Sequence, residues 1–481
     1  MAEVKQEGIT VKKSENFSEW YTQVVRKSDF ADYSIVSGCI VFKPDSYFIW
    51  EIVQKETDGE FKKIGIKNVY FPMFIPEKLL VKETEHLKGF SPEVAWVTQS
   101  GNTKLEERLA IRPTSETIMY DSYSKWIRSW RDLPLRLNQW NNVVRWEFKH
   151  PVPLLRSREF LWNEGHTVFA TKKEAEAECD QIIEIYRKIT EDFMALPCVI
   201  GRKTELEKFP GAEYSIALEF MLPNGKAVQG PDFHHDGQKF SKAFNIKFLN
   251  KNGKEEYAWQ NTFAITTRML GVMVAVHGDN RGLILPPRLA SVQIVIIPIL
   301  YEKNREKILK KAEELKKKLK DYRIEVDSRE EFTAGWKFNH WELRGVPIRI
   351  EIGPKDIEKN QVVLVRRDTL EKIVVKTVNL EKEIKKMFDD IHMNLYKKAK
   401  KILEESIIKA NNWEDFMKGV KNNKMVLAPF CLDTKCEEEI KNETEGVKAI
   451  TIPFDQPKET KGKCLHCGKV AQKLVYFGRS Y

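Results

Sequence analysis

Arg145-Trp146-Glu147, then a loop, then Arg156-Ser157-Arg158-Glu159-Phe160 and Asn163-Glu164-Gly165-His166-Thr167, is the stretch on which the reading of the fold turns. Arg136 to Phe148 reads as one strand running into a loop, with apolar Leu137, Val143, Trp146 and Phe148 spread through it. Two strands joined by a charged loop present several fixed charges to one ligand. Arginine suits that task, because its planar fork binds phosphate or carboxylate bidentately and keeps its charge. An Arg-x-Glu triplet alone is most simply a surface ion pair. The loop and the Asn163–Thr167 sequel make the pattern specific, and it points to a triphosphate.

Working outward, Thr171 to Leu196 reads as a helix. Thr171 and Glu174 form a capping box, Ile182, Tyr186, Ile189 and Phe193 give an apolar stripe, and Pro197 ends the run. From about Phe17 to Arg288 helical and extended patterns interleave irregularly, which predicts an α+β domain.

The segment Arg145 to His150 with Glu159 to His166 resembles motif 2 of class II aminoacyl-tRNA synthetases, in the wording of the proline enzymes of eukaryotic and archaeal type. The resemblance runs from about residue 17 to Tyr481. It implies an α+β catalytic domain built on an antiparallel sheet, an α/β anticodon-binding domain, and a small zinc-binding α/β domain. It also implies activation of proline with ATP and Mg²⁺ and transfer of prolyl to proline tRNA. Motif 1, a dimer-interface element in this class, would end at Val69-Tyr70-Phe71-Pro72 and implies a homodimer.

The resemblance then assigns residues. Arg112-Pro113-Thr114-Ser115-Glu116 matches the Thr-x-Glu loop, and a hydroxyl with a carboxylate can satisfy the two N–H donors of proline's secondary ammonium. Arg145 would hold the amino acid's carboxylate or the α-phosphate. Phe90 and Trp162 would wall the proline site, with Glu164 and His166 beside them; Phe263 is read as core. In Gln229-Gly230-Pro231-Asp232-Phe233-His234-His235 the glutamine and first histidine match, Gln229 towards ATP and His234 towards proline. Pro231, Asp232 and Phe233 depart from the pattern, and their effect on the pocket is open. Thr266-Thr267-Arg268 matches motif 3, so Arg268 would meet the γ-phosphate and the adenine ring. Ala264 stands where glycine is usual. Glu147 and Arg156 complete the ATP set.

The pattern changes after Pro286-Pro287-Arg288. Val292 to Leu300 reads as a strand buried on both faces, Glu302 to Tyr322 as a lysine-rich helix, and Arg323–Val326, Pro347–Ile352 and Gln361–Val365 as short strands. The expected domains are a mobile arm over 1–16, a catalytic domain over 17–288, an anticodon-binding domain over 289–390 and the last domain over 391–481. In the segment from Ala334 to Arg344 aromatics interleave with polar groups, as suits unpaired bases. Lys337, Glu342 and Arg349 are the tRNA-contact candidates, against the plain reading of a helix packed on its sheet. Cys431-x4-Cys436 and Cys464-x2-Cys467 form a tetrathiolate pattern for Zn²⁺; a disulfide pair competes, and a cytosolic setting disfavours it. His466 is a weaker ligand.

Composition sets the outer limits. The 481 residues exceed one core. A formal charge of +10 permits a nucleic-acid partner without establishing one. No run of 18 apolar residues occurs and the start is polar, so neither a membrane span nor a signal peptide is expected and the cytoplasm is. Two readings compete. A synthetase-like tRNA binder without catalysis would typically lose the ATP-clamping arginines, and Arg145, Arg156 and Arg268 are present. A threonine, serine or glycine enzyme fits the Thr114–Glu116 loop and the Trp162–His166 wording poorly. Arg145 and Arg268 are 123 positions apart, and the stretch between them is already filled by these segments, which leaves no room for an inserted editing domain.

Overall fold

The computed structural model of the protein describes residues 8–86, 93–146, 150–300, 302–457, 460 and 462–481. Phe90 and Glu147, expected at the proline and ATP sites, lie outside the described residues. The first helix, Phe17–Lys27, starts where the Asn16 side chain accepts from the Glu19 N–H, and it buries Trp20, Tyr21, Val24 and Val25. After a small hairpin, Ala31–Tyr33 with Ile40–Phe42, comes the long helix Pro44–Lys63 with proline in its first turn.

These helices pack on an eleven-stranded sheet that positions the site. Its spatial order is Ile407–Lys409, Met425–Phe430, Lys473–Ser480, Lys448–Pro453, Val199–Arg202, Tyr214–Met221, Lys226–Gly237, Trp259–Ala264, Glu159–Phe169, Leu135–Val144, Lys67–Asn68. From Val199–Arg202 to Leu135–Val144 every neighbour is antiparallel, as the α+β reading expects. The strand that carries Arg145 at its exit covers Leu135–Val144, and its partner covers Glu159–Phe169. The helix after it has the expected capping box at Thr171 and Glu174, but it spans Lys172–Lys188. Ile189–Phe193 then forms a wider turn, with the Met194 N–H reaching the Ile189 carbonyl. The apolar stripe continues through that turn, so periodicity alone could not place the helix end.

The C-terminal strands extend the catalytic sheet. Ile452 and Pro453 pair with Arg202 and Gly201, and Arg479 and Ser480 run parallel to Lys226 and Ala227. Gly201 permits this contact, since a Cβ there would lie 2.3 Å from the Ile452 carbonyl oxygen.

A separate five-stranded sheet follows Pro287. Its order is Ile324–Val326, Ile294–Pro298, Ile348–Ile352, Gln361–Arg366, Lys372–Lys376. The first three strands are parallel and fully apolar at the centre, where Ile294, Val295, Ile296 and Ile297 are buried. Helices Arg305–Lys318 and Leu380–Glu405 turn Ile308, Ala312, Leu315, Ile384 and Ile391 into one core with the sheet. The edge strand Lys372–Lys376 was not foreseen, because its flanking lysines mask a short alternation.

Candidate active site and cysteine cluster

Alternate residues of the central strands form the floor of a cavity of about 460 Å³. One row across the sheet is His166, Thr262, His234 and Ser215; the next holds Ala264, Asp232 and Ala217. Trp162 bridges to Thr266 beyond them. The sequence-derived residues Thr114, Glu116, Arg145, Trp162, Glu164, His166, Gln229, His234, Thr266 and Arg268 all border this cavity. Arg156 does not border it directly; it sits on the turn after the motif 2 loop, bridged to Val152.

Glu164 is the most heavily bonded group. Its carboxylate accepts from the Ser115 N–H (3.0 Å), the Ser115 hydroxyl, Gln139 Nε2 (2.8 Å) and Asn141 Nδ2 (2.6 Å), and faces His166 Nε2 at 3.3 Å. Burial would raise its pKa, but His166, Ser115 and Asn141 outweigh burial and hold it at about 2. The other ring nitrogen of His166 meets the Tyr120 hydroxyl at 3.1 Å. Glu164 and His166 are therefore occupied in pinning the Thr114–Glu116 loop to the floor. Ser115, Gln139 and Asn141 were missed in the sequence. The signal was present in Leu135–Val144, where Asn138, Gln139, Asn141 and Asn142 crowd four amides into a largely buried strand. On the loop, the Thr114 hydroxyl donates to Glu116.

Two arginines, Arg145 and Arg268, line the same cavity. Arg145 donates from Nε to the Pro113 carbonyl (3.1 Å) and lies over the rings of Phe160 and Trp162 at 5.5 and 5.4 Å. Trp162 is held in turn by its indole N–H on Asn141 Oδ1, 2.6 Å away. Arg268 opens the helix Arg268–His277, with its N–H on the Thr266 hydroxyl (3.1 Å). Its guanidinium donates to the Leu155 carbonyl and the Gln229 carbonyl, both at 3.1 Å. Burial and the like charges of Arg145 and Arg156 push the Arg268 pKa down, against Asp232 and Glu219. Neighbouring cations in a half-buried cleft cost energy that a polyanion recovers.

The departing segment has a defined geometry. Asp232 accepts from Gln229 Nε2 (2.8 Å) and lies 3.5 Å from His234 Nε2, while His234 Nδ1 meets the Ser215 hydroxyl at 2.7 Å. Burial opposes the Asp232 charge, but His234, Gln229 and Arg268 keep its carboxyl below the usual range. Phe233 points to the opposite side and joins the core with Phe263, stacked at 6.4 Å.

The three tRNA-contact candidates sit inside their domain, as in the alternative reading of a helix packed on its sheet. Lys337 donates to the Asp327 carbonyl (3.1 Å), Glu342 pairs with Arg349 and Arg281 at 2.8 Å each, and Arg349 also reaches Glu351 at 3.0 Å. They are 3%, 8% and 6% exposed. The helix Ala334–Leu343 turns its 337, 341 and 342 positions towards the sheet. Its outer positions instead carry Trp336, stacked on Phe332 at 3.7 Å and on His340 at 4.9 Å.

At the other end of the chain the ligand atoms of Cys431, Cys436, Cys464 and Cys467 all lie within 4.8 Å of one another. The Cys436–Cys464 and Cys431–Cys467 sulfurs are 3.8 and 3.5 Å apart, without a disulfide. A tetrahedron with sulfur about 2.3 Å from its centre has edges of about 3.8 Å, so the donor set and its size fit Zn²⁺. His466 stands outside the four, with Nδ1 3.4 Å from the Cys436 sulfur and Nε2 3.1 Å from Glu443.

Comparison with known proteins matches three family models: the tRNA synthetase class II core domain (G, H, P, S and T) over residues 96–277, the anticodon binding domain over 293–387, and the prolyl-tRNA synthetase C-terminal domain over 413–481. The cytoplasmic proline–tRNA ligase of Arabidopsis thaliana is 48% identical, over 98% of this chain and 91% of its own. Proline–tRNA ligase 2 of Bacillus cereus is 47% identical over the whole of both. The bifunctional glutamate/proline–tRNA ligase of Mus musculus is 47% identical over 98% of this chain, which spans only 33% of that longer protein. Among solved structures, prolyl-tRNA synthetase from Cryptosporidium parvum, complexed with halofuginone and AMPPNP, superposes with a TM-score of 0.95 at 47% identity over 99% of this chain and 100% of that one.

Proposed function

The chain belongs to the prolyl-tRNA synthetases, the class II ligases that join proline to its tRNA at the expense of ATP, and from that premise we propose how its residues divide the work. The observation that carries the assignment is one cavity lined by Arg145 and Arg268 together with Thr114 and Glu116, with the charge of Arg156 acting on Arg268 from outside its lining. Cations and acceptors lining one cavity suit an amino acid lying beside a triphosphate.

Thr114 and Glu116 take proline's two N–H donors, and Trp162 walls the ring. Glu164 and His166 act through the loop they hold. Arg145 binds the proline carboxylate and the α-phosphate, Arg268 the γ-phosphate, and Arg156 adds charge from the loop. Gln229 and Thr266 fix Arg268 from either side, Gln229 by its carbonyl and Thr266 by its hydroxyl. The carboxylate attacks the α-phosphorus in line and pyrophosphate leaves. A hydroxyl of the terminal adenosine of tRNA then attacks the prolyl carbonyl, and AMP departs with the electron pair. The first nucleophile is already an anion, so positioning and charge stabilisation do most of the catalysis. Mg²⁺ brought with ATP would supply further charge neutralisation.

The same reading extends to the rest of the chain. We divide it into a catalytic domain over 17–288, an anticodon-binding domain over 289–390 and a zinc-binding domain over 391–481; the three family models, over 96–277, 293–387 and 413–481, each fall inside one of them. We place the cytoplasm as the site of action, supported by the cytoplasmic relative; among the described residues no helix is long and apolar enough to cross a membrane. Exposed Tyr70 and Phe74, at 71% and 42%, sit at the end of the motif 1 segment and support a homodimer. Sedimentation at micromolar concentration should show a dimer, and a fully active monomer would contradict it. The stacked rings of Phe332, Trp336 and His340 are better placed to meet unpaired bases than the buried trio, whose ion pairs hold that helix in place. Amino-acid-dependent ATP–pyrophosphate exchange with all twenty amino acids tests the central reading. Proline alone should drive strong exchange, and Arg145→Ala should lower it by roughly 10²–10³; strong exchange with another amino acid, or near-normal exchange by the variant, would sink it.

A further inference from the structure

Lys203 borders the active-site cavity yet takes no part in the roles assigned above. It follows the strand Val199–Arg202, and its side chain is 8% exposed. Its ammonium donates to Glu219 and to the Ile450 carbonyl, the latter at 2.8 Å. Ile450 belongs to Lys448–Pro453, a strand of the C-terminal cysteine-bearing unit. Two further bonds tie the same short segment to that unit. The Thr204 hydroxyl donates to Glu437 at 2.8 Å, and Lys448 pairs with Glu207 at 3.2 Å. The position of Lys203 is thus set from two sides: its N–H donates to the Ser215 carbonyl of the catalytic strand at 2.9 Å, and the C-terminal unit holds its ammonium.

Glu219 explains why that position matters. It lies on Tyr214–Met221 directly opposite Gln229, the residue whose carbonyl receives the Arg268 guanidinium. Its carboxylate is 3% exposed, and besides Lys203 the cation that acts on it is Arg268. A buried carboxylate needs a paired cation, because removing one partner leaves an uncompensated charge that costs several kcal/mol. With Lys203 in place, Glu219 is neutralised from the C-terminal side. Without it, Glu219 would compete with the phosphates of ATP for Arg268.

We propose that Lys203, held by the Ile450 carbonyl of the C-terminal sheet, is a positioning residue for the nucleotide site: it neutralises Glu219 and so leaves Arg268 available to the γ-phosphate. The inference rests on the reading that Arg268 meets ATP. It gives the C-terminal unit a part in activation beyond stability.

The test is a charge-balance cycle on the full chain. Lys203→Met should raise KM for ATP by about tenfold, which is about 1.4 kcal/mol, and change KM for proline by less than about threefold. Lys203→Gln, which keeps a donor for Ile450 but no charge, should behave alike. Lys203→Met combined with Glu219→Gln should return KM for ATP to within about threefold of the parent, since the competitor is gone. A structural role would make the double variant no better than Lys203→Met, or move both KM values together, and either result overturns the proposal, as does a Lys203→Gln enzyme indistinguishable from the parent. Calorimetric titration of ATP into the same proteins reads the same comparison without exchange. Absence of proline-dependent exchange in the parent would instead count against the function itself.

Discussion

At the scale of single residues, Glu164 shows how a charged group can be buried and still be favourable. Five donors surround one carboxylate that is 2% exposed, and they hold its pKa at about 2 against an ordinary 4.5. A carboxyl with a depressed folded pKa adds stability that is fully present above the unfolded value and is lost as pH falls through the folded one. The contribution here is on the order of 3 kcal/mol. Glu164→Gln should therefore be clearly less stable than the parent at pH 6, and the gap should close as pH falls from about 4.5 to about 2. Denaturant midpoints across that range measure it; a gap independent of pH would show that the loss comes from hydrogen bonds that Gln cannot make and that the charge contributes nothing. The family resemblance marked Glu164 as part of the site. Its saturation by Ser115, Gln139 and Asn141 was hidden, because those partners arrive from a loop and a strand 23 to 49 positions away.

At the scale of elements, the cysteine cluster joins the ends of unlike pieces. Cys431 follows the strand Met425–Phe430, Cys436 lies in the helix Thr434–Glu443, and Cys464 and Cys467 flank a turn. The helix is short and is capped by Asp433. Four soft donors at tetrahedral spacing would tie strand, helix and turn together, so metal binding becomes folding free energy for this unit. One Zn²⁺ per chain should be found by metal analysis of protein purified without added metal. Stripping it with a chelator should loosen the unit, seen as new protease cleavage between 431 and 467. Four freely titrating thiols in protein that resists cleavage would contradict the site. The Cys-x4-Cys and Cys-x2-Cys spacings were legible in the sequence. The helix of Ala334–Leu343 was less so: its alternation of rings and charges fits either an RNA-facing or a sheet-facing helix, and only packing against Ile294–Pro298 turned Lys337 and Glu342 inward.

At the scale of the whole molecule, the catalytic floor, the C-terminal unit and the five-stranded domain share one frame. The C-terminal strands continue the catalytic sheet, and Arg367 of the five-stranded domain grips Asp279 at the end of the catalytic region through two bonds of 2.7 and 2.8 Å. Within the 123 positions separating Arg145 and Arg268, the chain builds floor strands, the capped helix Lys172–Lys188 and the segment held by the C-terminal unit. Alanine is smaller than proline, and an apolar pocket discriminates by only about 1–3 kcal/mol per missing methylene. The enzyme alone is therefore expected to release little alanine from preformed alanyl-tRNA carrying the proline anticodon. Incubating the two and following deacylation checks this; rapid enzyme-dependent hydrolysis would reveal an editing site.

The sequence by itself carried the resemblance to the family, the arginine-bearing loop and the tetrathiolate pattern, because each is written in residue types that stand close together along the chain. Helix caps and buried strand runs were legible for the same reason: they are local, and their physics closes within a few residues. Tertiary structure alone decided which donors saturate Glu164, which way Lys337, Glu342 and Arg349 face, and that the C-terminal strands join the catalytic sheet. It also decided what Asp232 does, pairing it with Gln229 and His234 beside Arg268. These depend on strand order and register, which bring together residues such as Lys203 and Ile450, 247 positions apart. Two residues so distant meet through the packing of everything between them, and no short pattern in the chain records that.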